Sequence, residues 1–122
     1  MGTDLNKEAP NVVTQTLFRS LVHKGYQAEV VCKTSAHKKA AVWYGSWIIL
    51  VVSKDRSYEK LLVPARKRAG KDDEVTVRTF KTANGLISFL EEVGFTQVNI
   101  PLVEGGRSTH ALLDEELDAD NG

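Results

Sequence analysis

The longest apolar run in the chain, Trp47-Ile48-Ile49-Leu50-Val51-Val52, sets the strongest limit on the fold. It is rich in β-branched residues and begins with an aromatic, which suits a pleated surface. With no polar alternation, such a run is covered on both faces. A buried helical segment would show the same pattern. The turn-forming residues on either side, Gly45-Ser46 and Lys54-Asp55-Arg56-Ser57, decide for a strand. Residues 47–52 are therefore expected to form the central strand of a sheet.

A chain of 122 residues fits one domain that buries its own core. The run at 47–52 is far too short to span a bilayer, and residues 1–10 lack the apolar centre of a signal peptide. The expectation is a cytoplasmic protein with no membrane association. The single Cys32 has no second cysteine for a disulfide or a metal pair, which fits a reducing compartment, and among valines it reads as a small core residue. The formal net charge is zero, yet residues 1–71 carry 13 Lys+Arg against 5 Asp+Glu, and residues 72–122 carry 3 against 11. A basic first half can face an anionic partner, and an acidic end can screen it in cis.

Along the chain, Val13, Leu17 and Leu21 follow i, i+4 spacing, with Phe18 and Val22 widening the stripe, so a helix is expected over 10–24 with Gly25 ending it. Residues 26–34 read as a strand with Ala28, Val30 and Cys32 on one face. Residues 35–39 read as a basic loop and 40–44 as a short strand that Gly45-Ser46 turns back into the central one. Residues 58–64 form a further strand ending at Pro64. Residues 65–74 form an exposed loop, and 75–80 alternates as a strand expected to pair with 58–64. Thr82 or Asn84 caps a second helix with Leu86, Ile87, Phe89, Leu90 and Val93 as its stripe and Gly94 at its end. A last strand is expected over 96–103. The expected fold is α+β: a mostly antiparallel sheet of five or six strands with two helices on one face, in the order α-β-β-β-β-β-α-β. Residues 1–9 and 105–122 are expected to be flexible ends of a single domain over 10–104. The two helix ends echo each other, Leu17, Leu21, Gly25 and Tyr26 matching Leu86, Leu90, Gly94 and Phe95. A glycine cap followed by an anchoring aromatic is enough to explain this.

Catalytic chemistry is not evident. His23, His37 and His110 lie in separate segments with no second ligand at helical or strand spacing, so no metal and no cofactor is expected. Gly105-Gly106 lacks the phosphate-loop pattern. The element order is similar to the core of restriction-endonuclease-like nucleases, but that family's acid and acid-x-Lys pattern is missing. The central strand holds no acid, Glu59-Lys60 lacks the intervening residue, and Asp55 falls in a turn. At most this resemblance implies an inactive relative.

Surface chemistry is what remains. Lys33, His37, Lys38 and Lys39 form one basic cluster and Arg66, Lys67, Arg68 and Lys71 another, with Trp43, Tyr44 and Trp47 between them. Lysines neutralise phosphates and aromatic faces stack bases, so the expected partner is nucleic acid or a nucleic-acid-handling protein. The candidate contacts are Lys38, Lys39, Arg66, Lys67, Arg68, Lys71, Trp43 and Tyr44. The alternative is a protein-interaction module that docks these loops on an acidic surface, or extends an edge strand near 97–103.

The stretch from Val63-Pro64-Ala65-Arg66-Lys67-Arg68 through Arg78-Thr79-Phe80-Lys81-Thr82 to Leu86-Ile87-Ser88-Phe89-Leu90-Glu91-Glu92-Val93-Gly94-Phe95 resembles small plasmid-borne partition-associated accessory proteins of bacteria. It covers about a quarter of the chain and carries no catalytic residues. The resemblance implies a bacterial, mobile-element setting and a non-enzymatic accessory or regulatory role.

Overall fold

A computed structural model of the chain describes residues 11–64 and 77–112. In chain order the elements are β1 (Val12–Val13), α1 (Gln15–His23), β2 (Gln27–Lys39), β3 (Val42–Val52), β4 (Glu59–Leu62), β5 (Phe80–Thr82), α2 (Ala83–Val93) and β6 (Arg107–His110). The six strands form one sheet in the order β1-β4-β3-β2-β6, with β5 pairing β3 beside β4. Among the described residues only the β1–β4 pair is parallel. The fold is α+β, and residues 47–52 lie at its centre as the inner half of β3.

Register explains which side chains make the core. Ala28 faces Val51, Val30 faces Ile49 and Cys32 faces Trp47 across β2 and β3, and all six are fully or almost fully buried. They point to the face where the helices lie. Phe18 of α1 packs against Phe89 of α2 at 5.8 Å between ring centroids, and Phe89 meets Phe80 of β5 at 5.1 Å. The His23 Nε2–H of α1 donates to the carbonyl of Val93 at the end of α2, 2.7 Å away, which ties the helix ends together. The opposite face carries Val31, Ile48, Leu50 and Val52, with Glu29 among them. Glu29 Oε1 accepts from Arg56 at 2.9 Å and from Arg107 at 3.2 Å, so a carboxylate that burial would penalise is matched by two guanidinium groups.

Several expected boundaries move for local reasons. Val12 and Val13 leave the first helix for an edge strand beside Leu61 and Leu62, because β-branched residues favour the extended backbone, and α1 begins only after Thr14. The chain reversal expected at Gly45-Ser46 sits instead at Ala40-Ala41. Lys39 pairs with Val42, and Ala40 takes φ +59. A positive φ at the first turn residue is what a two-residue hairpin needs to match strand twist, and Ala40 adopts it without being glycine. The basic segment 35–39 is therefore strand, with bulges between Cys32 and His37, and 40–44 is not a separate element.

Gly45 has another role. A Cβ there would lie 2.8 Å from Trp47 Cη2 and 3.2 Å from the Thr34 carbonyl, so the missing side chain makes room for the indole within the strand. Residues 77–79 are not strand and β5 pairs with β3, not with 58–64. Among the described residues, a bond from Arg78 N to Leu62 O, 3.2 Å, joins that region to β4. The strand expected over 96–103 is absent. Pro101 has no N–H to give a ladder, and side chains hold the segment: Trp47 Nε1 donates to Pro101 O at 2.8 Å and Asn99 N donates to His110 Nε2 at 2.7 Å. The last strand is β6, from within the region expected to be a tail. The rest of that tail, 113–122, and residues 1–10 lie outside the described residues.

The helix echo is real at the caps and nowhere else. Tyr26 N bonds Leu21 O at 3.0 Å and Phe95 N bonds Leu90 O at 3.1 Å, each across a glycine of positive φ, so both helices end in the same Schellman arrangement. Their faces are out of phase, since Leu17 is exposed where Leu86 is buried, and Phe95 leads into no strand.

Candidate binding hairpin

The outer halves of β2 and β3 form a two-stranded ribbon that runs past the rest of the sheet. On the β3 side the last pairing is Tyr44 with Thr82 of β5, and on the β2 side the last bond is from Ala36 N to Leu102 O at 2.8 Å. Among the described residues, 37–43 pair only with one another and with Tyr44. Lys38 pairs with Trp43 and His37 with Tyr44, the latter two with near-parallel rings 5.9 Å apart. Neighbouring residues of a strand point to opposite faces, so His37 and Tyr44 lie on one face and Lys38 and Trp43 on the other.

The structure thus brings Lys38, Lys39, Trp43 and Tyr44 together and leaves all four exposed. Trp43 is 41% exposed and Tyr44 37%, which is unusual for large aromatics near a core. Trp47 is different: it is fully buried and is a core residue. Arg66, Lys67, Arg68 and Lys71 lie outside the described residues. Lys81, adjacent to Thr82 and so to the base of the ribbon, is a further exposed cation that belongs to neither basic cluster of the sequence. It is placed by the Thr82 cap of α2, whose Oγ1 accepts from Gly85 N at 3.0 Å.

Charge along the sequence becomes charge along the sheet. Residues 30–54 contain no Asp or Glu but carry Lys33, Lys38, Lys39 and Lys54. Near the ribbon's base the described acid is Glu104, whose N–H donates to Ser35 Oγ. Glu29, Asp55 and Glu59 lie at the opposite end. There Asp55 Oδ1 accepts from Ser57 N, Ser57 Oγ and Ser53 Oγ, and these bonds hold its carboxyl down at about 2. Glu29 in turn raises the Arg56 guanidinium above its usual value. β6 runs antiparallel to β2 from the level of Val31 to that of Ala28, so Leu112 also lies at this end.

Other reactive groups are committed to structure. His110 accepts at Nε2 from Asn99 N, which leaves Nδ1 to donate to Ala28 O at 3.3 Å. Cys32 is buried, its Sγ donates to Thr34 O at 3.2 Å, and burial pushes the thiol pKa up. Among the described residues no three His, Cys, Asp or Glu side chains are grouped to hold a metal ion, and no helix is long and apolar enough to cross a membrane. Searches of protein-family models, curated proteins and solved structures find no match to this chain.

Proposed function

We propose that this protein is a non-enzymatic binding module whose hairpin of β2 and β3 contacts nucleic acid, serving a bacterial plasmid or other mobile element in the cytoplasm as an accessory or regulatory component. The observation that carries the reading is the ribbon itself: an acid-free projection with Lys38 and Lys39 beside exposed Trp43 and Tyr44. Exposed lysines with no acidic partner among the described residues give up counterions to phosphate at little cost, and exposed aromatic faces offer contact area to bases. The mobile-element setting rests on the resemblance of residues 63–95 alone.

The test is binding to labelled DNA and RNA oligonucleotides over a salt series. Affinity should fall steeply with salt, and Lys38→Ala and Lys39→Ala should each reduce the salt slope by about 1. Trp43→Ala should weaken binding at every salt concentration with the slope unchanged. Binding that ignores both lysines would refute the reading. One observation favours a protein partner instead: Leu102 and Val103 are 47% and 69% exposed beside the ribbon's base. In that case Leu102→Ser and Val103→Ser abolish capture of the partner while the lysine variants leave it intact.

A further inference from the structure

We infer that the hairpin tip enters the major groove of a B-form DNA duplex and reads thymine methyl groups through Ala40 and Ala41; this rests on the nucleic-acid reading above. Beyond the Tyr44–Thr82 pair the ribbon continues for Trp43, Val42 and the turn, with Lys38 and Lys39 on the other strand. At the rise of an antiparallel strand that free length is roughly 10 Å. The major groove is about 12 Å wide and about 8.5 Å deep and admits a two-stranded ribbon, so the projection matches the depth it would fill.

The tip has the chemistry for this position. Ala40 and Ala41 are exposed, small and apolar, and Val42 follows them at 36% exposure. The turn itself holds no bulky or acidic side chain, and small apolar side chains are suited to the methyl group that marks thymine in this groove. Lys39 sits beside the turn and Lys38 one step behind it, placed to reach the phosphates on the groove's rims. The bulges between Cys32 and His37 add twist at the point where the ribbon leaves the sheet, so it can follow a helical groove.

Single-strand stacking fits the same residues less well. A stacking platform needs successive rings on one surface, whereas Trp43 and Tyr44 lie on opposite faces of the ribbon. One face of Tyr44 is moreover already covered by His37.

The experiment compares the full chain on four DNA probes of the same A·T-rich sequence: the single strand, the duplex, the duplex with uracil replacing thymine, and a duplex whose cytosines carry glucosylated hydroxymethyl groups that fill the major groove. Expected are at least tenfold tighter binding to the duplex than to the strand, and a loss of about fourfold for each contacted methyl, the worth of one buried methyl group. Binding to the glucosylated duplex should be lost. Equal or tighter binding to the single strand, or indifference to both modifications, overturns groove entry. If that binding still depends on Lys38 and Lys39, the broader nucleic-acid reading survives. No salt-dependent binding to any probe sinks both.

Discussion

Replacing Gly45 with alanine tests whether this position is kept small for Trp47 or for a turn. The new Cβ would stand 2.8 Å from Trp47 Cη2, well inside contact distance, and 3.2 Å from a backbone oxygen. The indole has little freedom to retreat, because it is fully buried and Nε1 is held by Pro101 O at 2.8 Å. Forced overpacking of this kind costs about 1–3 kcal/mol. Against it, alanine restricts the unfolded chain and returns about 0.4–1 kcal/mol, and Gly45 has no positive φ for alanine to strain. The net expectation is a loss of about 1–2 kcal/mol, which in a domain of this size lowers Tm by roughly 3–10 °C. Urea and thermal unfolding, followed by circular dichroism, measure it. A second background, Trp47→Phe, removes Cη2, and there Gly45→Ala should cost at least 0.5 kcal/mol less, the usual size of coupling between touching residues. Full stability in the single variant, or an equal cost in both backgrounds, would refute the idea that the glycine accommodates the indole.

Three further outcomes follow from local geometry. Ala40→Gly should raise stability by roughly 0.5–1 kcal/mol, because an L-residue at φ +59 pays a left-handed penalty of about 1–2 kcal/mol that exceeds glycine's added entropy in the unfolded chain; denaturant unfolding checks it, and a loss would place the turn elsewhere. Thr82→Ala should cost about 1 kcal/mol through the lost cap on Gly85 N, whereas Thr14→Ala should cost less, since the Thr14 side chain makes no capping bond. Asp55 has a folded-state pKa depressed to about 2, below its unfolded value near 4, so its contribution is present above pH 4 and is lost as pH falls through about 2. Asp55→Asn should therefore be less stable than the parent at pH 7, and the gap should close on acidification; a gap that widens below pH 4 contradicts the bonding seen around Oδ1.

The core of the fold was legible because it rests on pattern. The central strand, the alternation of Ala28, Val30 and Cys32, the buried stripe of α2 and the glycine at each helix end all follow from periodicity and from residues with one strong conformational preference. The failures share a cause. At Gly45-Ser46 the usual turn residues lie inside a strand, because glycine answers to a tryptophan two residues on, and the real turn falls on two alanines that carry no turn signal. At Val12 and Val13 the extended preference of β-branched residues, together with pairing to Leu61 and Leu62, wins over a helical stripe. The segment before β6 has the composition of a strand, yet it is fixed by an indole and an imidazole that bond its backbone. The candidate site was half legible: its lysines and aromatics stood out by composition, but separating Trp43 from Trp47 required the register, and grouping Trp43 with Lys38 required knowing where the hairpin turns.

The contact between Arg78 N and Leu62 O has a practical side. β4 and β5 both lie antiparallel to β3, one beside its inner half and the other beside its outer half, so they act as successive halves of one strand position. β4 ends at Leu62 and β5 begins at Phe80, and the bond from Arg78 N to Leu62 O stitches these two ends together. A flexible stretch inserted between ends already held together costs only about 0.6 kcal/mol for each doubling of length. This is where a fluorescent peptide or an affinity epitope can be spliced into the middle of the gene while the sheet, and the ribbon it projects, keep their geometry.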